Sequence, residues 1–138
     1  MGEQKNLVNE KEPSELAVLY VMANRCVEDI PHQLGQKIEL LSRAQVIIGR
    51  LAADAVLEYK STYAKRKRDH AEAFLLAKRD RAHHAEIAVY DLRIREAELE
   101  AEKVRWNNAF ASNLEVINSL KYRMKVLLAE YNNPQNGR

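Results

Sequence analysis

The chain has 138 residues, of which 46% are apolar, with 22 basic and 20 acidic side chains and a net charge of +2. That balance excludes global disorder and a polyelectrolyte whose charge alone would dictate a nucleic-acid or membrane partner. The single cysteine, Cys26, excludes an internal disulfide framework and any multi-cysteine zinc site.

Aromatics make up 7% of the chain, with 4 glycines and 3 prolines, too few turn residues for a sandwich or barrel. No apolar run reaches the ~18 residues of a membrane span. The polar start Met1-Gly2-Glu3-Gln4-Lys5 does not read as a signal peptide, so a cytoplasmic protein is expected. Residues 1–12 are polar and read as a flexible tail, as do residues 132–138.

The first helix is expected over residues 14–30. Ser14 is placed to cap it, Glu15 suits its first turn, and Leu16, Leu19, Tyr20, Ala23 and Cys26 follow helical spacing. Pro31 restricts Ile30 and ends the helix, leaving His32-Gln33-Leu34-Gly35 as a connection.

Residues 50–133 contain neither glycine nor proline and are rich in strong helix formers. A second helix is expected over 36–79, with a seam at Leu41, Ala44, Ile48, Leu51, Ala55, Tyr59 and Tyr63. A third is expected over 83–131, with Ala85, Val89, Leu92, Leu99, Trp106, Phe110, Ile117, Leu120, Met124 and Leu127 on one side and Asn113 in a seam slot. The basic run Lys65-Arg66-Lys67-Arg68 and the acids Glu96, Glu98, Glu100 and Glu102 oppose one another when the chain folds back near residue 82. Arg66 then faces Glu98, Ile48 faces Val116 and Leu41 faces Arg123. The fold class that follows is all-α: a long antiparallel helical hairpin, coiled-coil in character, with an N-terminal helix packed on its open end. Residues 13–131 form one helical domain on this reading.

Val46, Ile47, Ile48, Leu51, Ala52, Ala53, Ala55, Val56 and Leu57 are apolar over a wide arc, and such a helix needs several neighbours. A homodimer joined there is expected, with Ile47, Val56 and Leu57 at the interface. Trp106 is either a partner-binding anchor or a core residue of the helix pair, and Asn113 is placed to specify register or oligomeric state.

Lys78, Arg79 and Arg81 lie past the acidic run and are the candidate nucleic-acid contacts, able to make few phosphate interactions. His32, His70, His83 and His84 include no pair spaced to hold zinc on one helix face. Glu98 and Glu102 are one turn apart without an accompanying acid–base group, and Cys26 on an apolar face reads as a small buried side chain. No phosphate loop, dinucleotide fingerprint or nucleophile elbow occurs, so no enzyme activity, metal or cofactor is expected.

The layout from Arg43 to Tyr131 resembles small all-helical proteins of tailed phages and prophages. The resembling features are Tyr59 and Tyr63-Ala64 before a charged stretch, then Ala85, Leu92 and Leu99, then Trp106 and Phe110, then Leu120, Met124 and Glu130. The resemblance implies a non-enzymatic interaction protein that binds a host or phage protein, as an accessory or inhibitor of nucleic-acid machinery. Direct DNA or RNA binding through the basic hairpin tip, in replication or recombination, is the alternative.

Overall fold

The computed structural model describes residues 2–133, with side chains from residue 12 onward. The fold is all-α, built from α1 (Gly2–Asn24), α2 (Pro31–Leu76), α3 (Arg81–Ala88) and α4 (Tyr90–Asn132). The long helix α2 packs antiparallel to α4 as a helical hairpin, and α1 is the N-terminal helix packed on it. Contacts divide the chain into two units: Met1–Gly49 with Ala109–Arg138, and Arg50–Asn108.

In the first unit, Ala23 of α1, Leu34 and Leu41 of α2, and Ile117 and Leu120 of α4 form the buried core. Tyr20, Ile38, Leu40, Met124 and Leu127 pack around them. Each buried leucine or isoleucine there contributes about 1.5–3 kcal/mol. The helix ends differ from the expected ones. α1 begins at Gly2, where a tail and a Ser14 cap were expected, and it runs through Pro13. It stops at Asn24, tightened by Arg25 N–H to the Met22 carbonyl and Cys26 N–H to the Ala23 carbonyl. Pro31 opens α2 rather than merely closing the helix before it. At the first helical position its missing N–H costs nothing and its fixed φ suits the helix. Leu34 N–H closes that first turn on the Ile30 carbonyl. The connection is therefore residues 25–30, and the expected connection His32–Gly35 is helix. Val27 N–H donates to Gln33 Oε1 at 2.8 Å and Lys37 pairs with Glu28 at 3.0 Å, which pins the connection to α2. Asp29 pairs with Arg123 of α4.

In the second unit the seam of α2 passes through Ala52, Ala55, Tyr59, Thr62, Arg66, Asp69 and Ala73, all buried or half-buried. Across from it stand Ala85, Val89, Leu92, Glu96, Leu99, Lys103 and Trp106, none of them exposed. The Lys103 ammonium lies 4.3 Å from the Tyr59 ring centroid.

The turn lies at residues 77–80, before the fold-back expected near residue 82. Arg66 pairs with Glu96, correcting the expected Glu98. The facing pairs do not all move by the same amount: Leu41, expected opposite Arg123, has its carbonyl bonded to Asn113. Glu98 reaches Arg95 of its own helix instead. Among the described residues, Arg66 is the one cation of Lys65–Arg68 with an ion pair across the hairpin; Arg68 pairs with adjacent Asp69. The expected helix over 83–131 is two helices, broken at Val89, and the tail expected over 132–138 lies outside the described residues from 134 onward.

Candidate interaction surfaces

Asn113 occupies a seam slot of α4 and is 4% exposed. A buried amide is tolerated only when its hydrogen bonds are made. Its Nδ2 donates to the Leu41 carbonyl at 3.1 Å and to Gln45 Oε1 at 2.8 Å. Its Oδ1 accepts from the Tyr20 hydroxyl at 2.9 Å. Gln45 Nε2 in turn donates to the Phe110 carbonyl at 3.1 Å. Asn113 therefore joins α1, α2 and α4 within one chain. Of its partners, Tyr20 lies on the expected face of the first helix, whereas Gln45 was missed by sequence reasoning. Extending the spacing of Leu34, Ile38 and Leu41 by one further step reaches Gln45 and would have found it.

Ile47 is only 9% exposed in a single chain, so the expected uncovered face at Ile47 is corrected. It borders a shallow groove with Val18 and Leu19 of α1, whose cover the apolar arc of α2 did not reveal. Val56 and Trp106 are half-buried, whereas Leu57 is 66% exposed. Cys26 is half-buried just past α1, its thiol 3.6 Å from the Met22 carbonyl, rather than in the core.

The end of the second unit combines cations with uncovered apolar side chains. Asp80 takes a left-handed backbone conformation, φ 47°, which aspartate tolerates better than most residues. Its carbonyl accepts the His84 N–H and so starts α3, while its side chain makes no cap. Arg81 Nε donates to the Ala77 carbonyl at 3.0 Å and its guanidinium lies 5.9 Å from the Phe74 ring centroid. Arg81 thus fastens the turn. Lys78 and Arg79 are exposed and form no ion pair among the described residues. Beside them Leu75 is 75% exposed and Leu76 82%. Nothing in the periodic pattern of α2 marked these leucines as uncovered, because the loss of cover comes from where the turn falls.

His70 and Arg93 converge on Glu86 at 3.3 and 2.8 Å. The hydrogen bond from Arg93 is the main cause that holds the Glu86 carboxyl below its ordinary value. His83 and His84 are exposed, and among the described residues no three His, Cys, Asp or Glu side chains form a metal cage. No helix among the described residues is long and apolar enough to cross a membrane. Comparison with protein-family models, curated proteins and solved structures finds no match.

Proposed function

We propose that this chain is a non-enzymatic, cytoplasmic interaction protein that binds another protein through the turn end of its second unit. On the phage-type resemblance it acts as an accessory or inhibitor of nucleic-acid machinery. The observation that carries the reading is the exposure of Leu75 and Leu76 beside Lys78 and Arg79. A protein partner gains by desolvating two leucines and meeting the cations with carboxylates. A phosphate backbone uses only the cations.

The test is affinity capture from extract of cells that carry the gene, followed by titration of the purified partner. Leu75→Glu with Leu76→Glu should abolish binding, while circular dichroism stays unchanged. Binding that survives this change, together with affinity for DNA or RNA that falls linearly in log salt and vanishes with Lys78, Arg79 and Arg81 exchanged for Glu, would establish the nucleic-acid reading instead.

A further inference from the structure

One face of α4 in the second unit is uncovered, and its composition is not that of a solvated face. Tyr90, Ile94, Ala97, Ala101 and Val104 recur at alternating steps of four and three, and all five are exposed. Tyr90 is 63% exposed, Ile94 45% and Val104 47%. This is a second seam, on different positions of α4 from the one containing Leu92, Leu99 and Trp106. A heptad stripe on a folded helix is a preformed half of a coiled coil.

We propose that two copies of this chain associate through residues 90–108 of α4 as a parallel, in-register two-stranded coiled coil. The flanking charges select both the occupant and the direction. In a parallel pair, the residue before an a position reaches the residue five further on in the second copy. With Ile94 and Ala101 at a positions, Arg93 meets Glu98 of the second copy and Glu100 meets its Arg105. Both pairs are opposite in charge, and two-fold symmetry makes each of them twice. An antiparallel pair over the same stripe sets Glu98 against Glu98 and Glu100 against Glu100, like against like, and offsets this only by setting Asp91 against Arg105. Asn108 occupies the next a position and is exposed. Paired asparagines at such a position specify register and two strands. Within one chain Arg93 holds Glu86 and Arg95 reaches Glu98, so these charges already stand along the edges of the stripe. Glu86 of α3 would face Asp91 of the second copy, and its neighbours Arg93 and His70 offset that repulsion.

Sedimentation of the full chain over a range of concentrations should show monomer and dimer in equilibrium. Ile94→Glu should raise the dissociation constant by about tenfold or more, since it removes a buried isoleucine from both copies. Glu98→Arg should also weaken the dimer, by setting cation against cation. Helicity by circular dichroism should be unchanged in both variants, because both side chains are exposed in the single chain. In a Cys26→Ser background, Val104→Cys should oxidise to a covalent dimer much faster than Arg95→Cys, which is exposed but off the stripe. A wild-type mass of 15.9 kDa at high micromolar concentration would overturn the proposal and leave the stripe to a different protein. A dimer indifferent to Ile94→Glu would place the interface elsewhere. A dimer in which Val104→Cys gains nothing over Arg95→Cys would rule out the parallel arrangement. None of these outcomes bears on Leu75 or Leu76, so partner binding at the turn end stands or falls separately.

Discussion

The Tyr20 hydroxyl donates to Asn113 Oδ1 across 2.9 Å, and the amide nitrogen of the same Asn113 donates to Gln45 and to the Leu41 carbonyl. One buried side chain thereby holds α1 and α2 against α4. A polar residue in an apolar seam costs stability when its partners are lost and specifies an arrangement when they are present.

Asn113→Ala should therefore destabilise the fold by about 2–3 kcal/mol, through a cavity and unpaired buried groups. Tyr20→Phe should cost about 1 kcal/mol. The double variant should lose less than the two costs added together, because both singles break the same hydrogen bond. Urea denaturation, read as a shift in midpoint at constant slope, measures all three.

Burial raises the Tyr20 hydroxyl above its ordinary value of 10.0. The folded state then holds this proton more tightly than the unfolded chain does. The contribution is complete below about pH 10 and is lost as pH rises through the raised value. Alkaline denaturation should be shallower in Tyr20→Phe than in the wild type. Part of the slope should persist, because Tyr59 is also raised, chiefly by burial and then by Glu100 and Glu96.

Arg66 and Glu96 are nearly covered, their side chains 13% and 14% exposed. Arg66→Glu should cost about 2–4 kcal/mol, by leaving two carboxylates together in the seam. Adding Glu96→Arg should recover most of that loss. Adding Glu98→Arg should not, and this contrast in melting temperature tests the register directly.

Gly35 lies inside α2, and a Cβ there would meet Met124 Cε at 3.6 Å, an ordinary contact. Gly35→Ala should stabilise the protein by about 0.5–1 kcal/mol, by lowering the entropy of the unfolded chain. At Gly49 the same atom would come within 3.3 Å of the Phe110 ring, so Gly49→Ala should gain less. Thermal melts of the two variants side by side give the comparison.

The sequence by itself determined that residues 50–132 are largely helical and fold back once, and which positions line the paired faces, but not the break at Val89. Both properties are local: strong helix formers without breakers, and apolar side chains at steps of three and four. Even the polar seam residues Glu96, Lys103 and Asn113 lie on that spacing, although only Asn113 was read from it. The tertiary structure alone decided the register and the free surfaces. Register depends on the turn and on the break at Val89, and no glycine or proline marks either. Asp80 supplies the left-handed residue of the turn, and the two irregularities together leave Arg66 on Glu96 rather than Glu98. Exposure is likewise a property of what a neighbouring helix reaches. In the first unit Ile47, beside Val18 and Leu19 of α1, is buried, while Leu75 and Leu76 at the end of α2 remain exposed, although all three are equally apolar in the sequence.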